Sequence, residues 1–128
     1  MVIDSSAIIA ILENEPDAER LAEAIANDPI RLMSAASLLE IAIVIESRYG
    51  ELGGDKLDQL LQTAQIRVEA VTVEQVEVAR RAYRSYGKGR HPAALNFGDC
   101  FAYALAKVLD EPLLHTGADF SKTDLKQV

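Results

Sequence analysis

Residues 1–12, Met-Val-Ile-Asp-Ser-Ser-Ala-Ile-Ile-Ala-Ile-Leu, contain the transition that decides the fold. The apolar run Met1–Ile3 is typical of a short buried strand, and it ends abruptly at Asp4. The next two residues are serines, whose hydroxyl groups can cap a helix that we expect over Ala7–Leu12. A strand, a turn and a helix in immediate succession indicate the first unit of an α/β fold.

Strand and helix patterns alternate along the rest of the chain. Further strands are predicted over Ile30–Met33, Ile66–Val71 and Pro112–His115. Helices are predicted from Pro16 to the stop at Asp28-Pro29, and over Ala35–Tyr49, Asp55–Gln65, Val73–Tyr86 and Phe97–Leu109. This alternation predicts one α/β domain over residues 1–128, with a central parallel β-sheet and helices on both faces.

Glycines mark two predicted interruptions. Gly50 is expected to end the helix that begins at Ala35, and Gly53-Gly54 to form a loop before Asp55 caps the next helix. The segment Gly87–Asn96 contains two glycines, one proline and three charged or titratable side chains. We therefore expect it to be a loop exposed to solvent.

The composition is that of a protein able to fold around one core without a disulfide or a structural metal. Of its 128 residues, 49% are hydrophobic and 26% are charged. The single cysteine, Cys100, can form no internal bridge and favours the reducing cytoplasm. No apolar run approaches the ~20 residues of a membrane span, and the N-terminus lacks the basic flank of a signal peptide. We expect a cytoplasmic protein with no membrane association.

The charge is acidic overall but locally basic. Thirteen basic and 20 acidic residues give a net charge of -7, which argues against a protein that coats nucleic acid by bulk electrostatics. The segment Ala79–Gly98 nevertheless holds five basic residues and no acid. Arg80 and Arg84 lie four residues apart on one helical face that leads to Lys88 and Arg90. These side chains either bind phosphate or merely complement the helix dipole and keep the surface soluble.

Three acids lie in apolar surroundings. Asp4 closes an apolar strand, Glu40 is the only polar residue in Leu38–Ile45, and Asp99 is the only acid in Phe97–Leu109. A carboxylate removed from water costs several kcal/mol unless it is paired or metal-bound. Each acid also has a structural explanation: Asp4 as a helix cap, Glu40 on an exposed strip, and Asp99 at its own helix N-terminus.

All three acids follow predicted strands or lie in the early turns of helices on the same side of the sheet. Asp119 follows the last strand and reaches the same edge, where open parallel sheets place their ligand sites. Two carboxylates about 4 Å apart repel by roughly 4 kcal/mol at an effective dielectric of 20, so such a cluster binds cations or stays partly protonated. Oxygen ligands without cysteine or a well-placed histidine favour Mg²⁺ or Mn²⁺.

Six segments, in this order and at these spacings, form a recognisable set: Val2–Ala7, Leu38–Glu40, Tyr86–His91, Leu95–Lys107, Pro112–Leu114 and Asp119-Phe120. They resemble the PIN-domain ribonucleases, specifically the VapC-type toxins of bacterial toxin-antitoxin pairs. The resemblance covers the whole chain. It implies a PIN domain whose acidic pocket binds divalent metal and hydrolyses RNA phosphodiester bonds, so that translation and growth are inhibited.

The motif carboxylates of that family correspond to Asp4, Glu40 and Asp99, with Asp119 as the fourth. The chain departs from the family around Asp119, where His115, Thr116 and Ala118 replace an aromatic residue, a lysine and an acid. Ser5 replaces the commoner threonine, whereas Ser6 keeps the hydroxyl expected to support Asp4.

The resemblance also implies a mechanism. We expect Mg²⁺, or alternatively Mn²⁺, to be held by Asp4, Asp99 and Asp119 and to activate a water molecule. Glu40 either orients that water or holds a second ion. Attack by water leaves a 5′-phosphate and a 3′-hydroxyl, because the RNA 2′-hydroxyl takes no part.

Partners are expected on two surfaces. The basic tract, including His91, is the candidate RNA-binding surface: Arg80, Arg84, Lys88, Arg90 and His91. The helix Ala35–Tyr49 is apolar around nearly its whole circumference, which exceeds what one sheet face can cover. The family suggests that a VapB-type antitoxin and a second copy of the chain cover such surfaces, in a homodimer or in a higher oligomer with the antitoxin.

Three other protein classes share some of these features. A phosphoacceptor receiver domain needs adjacent acids after its first strand and a lysine after its last, but Asp4 is followed by serines. A haloacid-dehalogenase-like phosphatase needs a second aspartate where Ser6 stands. The remaining alternative is a PIN-like module that binds protein or RNA without catalysis.

Overall fold

Four short parallel strands form the centre of the computed structural model, which describes residues 1–128. The strands are β1 (Val2–Ile3), β2 (Leu32–Ser34), β3 (Arg67–Glu69) and β4 (Leu113–Leu114). They are arranged in the order β3-β2-β1-β4, and every neighbouring pair is parallel. All four carboxyl ends therefore meet at one edge of the sheet, which confirms the predicted fold class.

Five helices cover the sheet, and a short 3₁₀ turn follows β4. The helices are α1 (Ser5–Leu12), α2 (Ala18–Asn27), α3 (Ala35–Thr63), α4 (Val73–Tyr86) and α5 (Phe97–Leu109). The 3₁₀ turn spans Phe120–Lys122. None of the helices combines the length and the hydrophobicity needed to cross a membrane.

The core has two layers because side chains alternate between the faces of the strands. Ile3, Met33 and Leu114 belong to the layer that α1, α2 and α3 cover. The adjacent residues Val2, Leu32 and Leu113 belong to the opposite layer, which α4 and α5 cover. A strand of two residues is long enough to join both core layers, because it contributes one side chain to each layer.

The prediction around α3 was partly wrong. Gly50 was predicted to end the helix and has non-helical backbone angles (φ 68°, ψ -158°), but it only kinks α3, which continues to Thr63. Gly53-Gly54 and Asp55, however, lie within the second helical segment instead of forming a loop and a cap. A Cβ atom at Gly53 would lie 2.8 Å from Cγ2 of Ile45, so this glycine permits the two segments to pack closely.

The segment Gly87–Asn96 is less exposed than predicted. The Leu95 N–H donates to the Tyr86 carbonyl, and the Lys88 N–H donates to the Leu95 carbonyl, each at 2.9 Å. These bonds fold the segment back on the end of α4 and bury the side chains of Ala93 and Leu95. The exposed residues of the segment are Lys88, Gly89, Arg90, Pro92 and Asn96.

Candidate active site

Asp4 is a buried carboxylate at the carboxyl end of β1, with 3% of its surface exposed. Its Oδ2 accepts a hydrogen bond of 3.0 Å from the Ser6 N–H, so Asp4 is the N-cap of α1. The predicted serine cap was therefore wrong by one or two residues. The cap explains the local conformation of Asp4 but leaves its buried negative charge without a basic partner.

Glu40 lies two turns into α3 and is held from two sides. The Ser5 hydroxyl donates to Oε1 of Glu40 at 2.5 Å. The other oxygen faces α5 at Gly98, where an added Cβ would lie 2.0 Å from Oε2. Sequence reasoning did not single out Gly98, although a glycine directly before an acid in a first helical turn is a signal of close approach.

Asp99 lies in the first turn of α5 and forms a capping box with Asn96. The Asn96 N–H donates to Oδ2 of Asp99 at 3.0 Å, and the Asp99 N–H donates to Oδ1 of Asn96 at 2.9 Å. The predicted interaction of Asp99 with its own helix is thus present, and it fixes the carboxyl group at the sheet edge. The sequence spacing Asn-x-x-Asp is typical of a capping box and could have predicted the role of Asn96 as the N-cap of α5.

Asp119 lies in the turn after β4 and is exposed. The segment between β4 and Asp119 is joined to the start of α1, because the Thr116 N–H donates to the Ser6 hydroxyl oxygen at 3.1 Å. Ser6 therefore contacts both Asp4 and the segment that carries the fourth acid.

The pKa of Asp99 responds to the charges of the other three acids. Burial raises the pKa of Asp99 to about 6, and the charges of Asp4, Asp119 and Glu40 add to the increase. Burial also raises the pKa of Asp4, and the Glu40 charge adds to the increase, while hydrogen bonds from Ser6 and the charge of His115 lower this pKa. None of the four acids takes part in an ion pair with a basic side chain.

The donor set fits a hard divalent cation in its chemistry. The available ligands are carboxylate oxygens, which Mg²⁺ and Mn²⁺ prefer, and none of them forms an ion pair with a basic side chain. In their present positions, no three acidic, histidine or cysteine side chains lie close enough to share one ion. Mutual repulsion favours such separation, and a cation between the carboxylates would offset it.

The predicted RNA-binding side chains Arg80, Arg84, Lys88 and Arg90 are all exposed. Arg80 forms a surface ion pair with Glu77 at 3.5 Å. The guanidinium carbon of Arg90 lies 5.9 Å from the centre of the Tyr83 ring, which is a cation–π distance.

His91 is more enclosed than the basic side chains around it. Its Nδ1 accepts a hydrogen bond of 3.0 Å from the Ala93 N–H, and its ring packs edge-on against Tyr86. The histidine thus has a structural role within the loop, whatever its contribution to RNA binding.

The raised pKa of Asp99 predicts a pH-dependent stability. Folded Asp99 holds its proton more tightly than the unfolded chain, in which its pKa is near the ordinary 3.8. The free energy of unfolding in EDTA should therefore fall as the pH rises from about 4 to about 6. Asp99→Asn should flatten this fall and be more stable than the wild type above pH 6, while keeping an oxygen for the Asn96 N–H.

Chemical unfolding at a series of pH values measures this effect. Asp58→Asn, which replaces an exposed acid on α3, is the control and should follow the wild-type curve. Parallel curves for Asp99→Asn and the wild type would contradict the assignment of a raised pKa to Asp99.

Comparison with known proteins identifies the family. The PIN domain profile matches residues 1–126. The chain is 59% identical over 128 residues to a protein named Ribonuclease VapC from Mycolicibacterium smegmatis, covering 100% of this chain and 99% of the relative.

Two solved structures share the fold at low sequence identity. One is the Mycobacterium tuberculosis toxin VapC20, which cleaves the sarcin-ricin loop, with a TM-score of 0.80, 19% identity and coverage of 99% and 97% of the two chains. The other is VapBC2 from Rickettsia felis bound to a promoter DNA fragment, with a TM-score of 0.78, 13% identity and coverage of 99% and 96%. From its profile match and its near full-length similarity to a VapC ribonuclease, the chain belongs to the PIN-domain family, among the VapC ribonucleases.

Proposed function

We propose that this chain is a divalent-metal-dependent ribonuclease toxin that hydrolyses RNA phosphodiester bonds and inhibits translation and growth. The observation that carries the proposal is the cluster of Asp4, Glu40, Asp99 and Asp119 at one sheet edge without basic partners. Structural capping explains the positions of Asp4 and Asp99. It does not explain why four acids from distant parts of the chain are brought together at an electrostatic cost.

Each acid has a proposed role in the reaction. Asp4, Asp99 and Asp119 supply oxygen ligands for Mg²⁺ or Mn²⁺. When bound, the ion supplies an activated water and positive charge next to the scissile phosphate. Glu40 orients the attacking water, because the Ser5 hydroxyl and the close approach of Gly98 hold its carboxylate in place. Ser6 supports Asp4 through its N–H.

RNA binding is assigned to the basic tract, since the acid cluster itself repels phosphate. Arg80, Arg84, Lys88 and Arg90 are exposed and can contact the RNA backbone, and His91 holds the loop that carries Lys88 and Arg90. An RNA substrate and the unpaired buried thiol of Cys100 both support a cytoplasmic location.

We also propose that a VapB-type antitoxin restrains the toxin, and that the chain forms a homodimer. Large apolar side chains remain exposed along α3, among them Leu39, Ile43, Tyr49 and Leu52. Surfaces of this kind are typical of protein interfaces. The Rickettsia felis neighbour, solved as VapBC2, supports a partner of this type.

Expression of this chain alone should arrest growth. Co-expression of the small reading frame next to the one that encodes this chain should relieve that arrest.

Replacing the acids tests catalysis directly. Glu40→Gln and Asp99→Asn should each lower metal-dependent RNA cleavage by about 100-fold or more, because each removes charge needed at the transition state. Cleavage of a labelled RNA is measured with Mg²⁺ and with EDTA, and circular dichroism checks the fold. Asp58→Asn is the matched control.

The products distinguish hydrolysis from attack by the RNA 2′-hydroxyl. Wild-type protein should leave 5′-phosphate and 3′-hydroxyl ends, and a 2′,3′-cyclic phosphate would contradict the mechanism. Wild-type protein that binds RNA but never cleaves it would identify the chain as a non-catalytic PIN-like module.

Gly98→Ala tests the positioning of Glu40. The new Cβ would displace the Glu40 carboxylate, so cleavage should fall about 10- to 100-fold, the usual effect of losing support around a catalytic group. Gly54→Ala is the control, because its Cβ meets only the flexible end of the Glu46 side chain. Unaltered cleavage by Gly98→Ala would show that this contact does not position Glu40.

Arg84→Ala tests the RNA-binding surface. Each phosphate contact on a single strand contributes about 0.7 to the slope of log affinity against log salt concentration. The variant should bind RNA more weakly in EDTA and lower that slope by up to this amount, whereas Lys56→Ala, on α3, should not. Arg90→Ala is a second test, and wild-type slopes in both arginine variants would support the alternative of a merely solvated basic tract.

A further inference from the structure

A groove of about 690 Å³ lies between α4 and α5, next to the acid cluster. Three aromatic rings and two basic side chains dominate its lining: Tyr83, Phe97, Phe101, Arg80 and Arg84. Its volume lies within the range of ligand-binding clefts. The groove and the acid cluster share one element, because Phe97 begins the helix whose first turn carries Asp99.

Phe97 is the most unusual side chain of the groove, because 79% of its surface is exposed. The ring of Phe101 packs edge-on against it, with the ring centres 4.9 Å apart. One edge contact supports the Phe97 ring but leaves most of it in water. Folding of the chain therefore does not account for an aromatic side chain at this position, whereas a ligand with a flat apolar face would.

The positive charge of the groove indicates which kind of ligand with a flat apolar face binds there. Arg80 and Arg84 line it, no acid does, and the Arg90 guanidinium packs over the Tyr83 ring at its edge. Exposed aromatic rings combined with positive charge are the means by which proteins bind single-stranded nucleic acid. The rings stack on bases, and the guanidinium groups contact phosphates.

We propose that this groove binds an unpaired nucleotide of the RNA substrate by stacking its base on Phe97. The inference rests on the proposed ribonuclease function and adds a base-stacking site to its RNA-binding surface. Base faces in a duplex are covered by their neighbours, so an aromatic side chain cannot reach them. Stacking is tolerant of sequence, since every base has a flat face.

A second copy of the chain is the competing occupant of this apolar surface. A symmetric contact through the groove would bring Arg84 near the same arginine of the other copy, and although Glu77 pairs with Arg80, no acid in the lining neutralises Arg84. RNA supplies the missing negative charge along its backbone. Charge complementarity therefore favours RNA as the occupant.

Fluorescence of a short unstructured RNA containing 2-aminopurine tests the proposal, with EDTA present to prevent cleavage. Wild-type binding should quench the fluorophore. Phe97→Ala and Phe97→Leu should both weaken binding about 10-fold and abolish quenching, because neither retains a ring. Phe97→Trp should preserve both, and Leu109→Ala, at the other end of α5, is the control.

The other readouts separate stacking from alternative roles. Phe97→Ala should keep the wild-type salt slope and the wild-type sedimentation coefficient, and a duplex of the same sequence should bind more weakly. The proposal is overturned if Phe97→Ala or Phe97→Leu binds the RNA with wild-type affinity. It is also overturned if either variant changes its oligomeric state.

The same experiment separates this inference from the proposed function. Phe97-dependent quenching with no metal-dependent cleavage by the wild type would reject the nuclease and retain the base-binding groove. Cleavage that is lost in Asp99→Asn but unaffected in both binding and rate by Phe97→Ala would retain the nuclease and reject the groove.

Discussion

Burial of the Asp4 carboxylate at the end of β1 is the constraint on which the rest of the site depends. The adjacent strand residues are anchored in the two core layers, so Asp4 cannot withdraw into solvent without disturbing the sheet. Its N-cap hydrogen bond lowers the cost of burial but does not neutralise the charge. The surrounding acids increase that cost, and a bound cation is the simplest way to offset it.

The second constraint is the contact between α3 and α5. Glu40 reaches the sheet edge only because Gly98 lacks a side chain, and the Ser5 hydroxyl holds the carboxylate on its other side. These contacts join α1, α3 and α5 through small residues directly next to the acids. Asp119 is attached less tightly, through Thr116 and Ser6, which agrees with its exposed position.

Local patterns were sufficient to predict the alternation of strands and helices and the position of Asp4 at the carboxyl end of β1. Alternating apolar residues and the carboxyl ends of parallel strands are properties of short segments, so Asp4 could be placed without coordinates. The role of Gly98, the helical packing at Gly53 and the return of the chain through Leu95 could not be predicted in this way. Each depends on a contact between residues distant in sequence or on a missing Cβ atom, neither of which has a periodic signature.

The central claim is that the acid cluster binds a divalent cation, and thermal unfolding at increasing Mn²⁺ or Mg²⁺ concentrations tests it most directly. A ligand that binds only the folded state at 100 times its dissociation constant stabilises that state by about 2.7 kcal/mol. The melting temperature of the wild type should therefore rise with metal concentration, as should that of Asp58→Asn, whereas Asp99→Asn should show little or no rise. An equal rise in Asp99→Asn, or none in the wild type, would contradict the account.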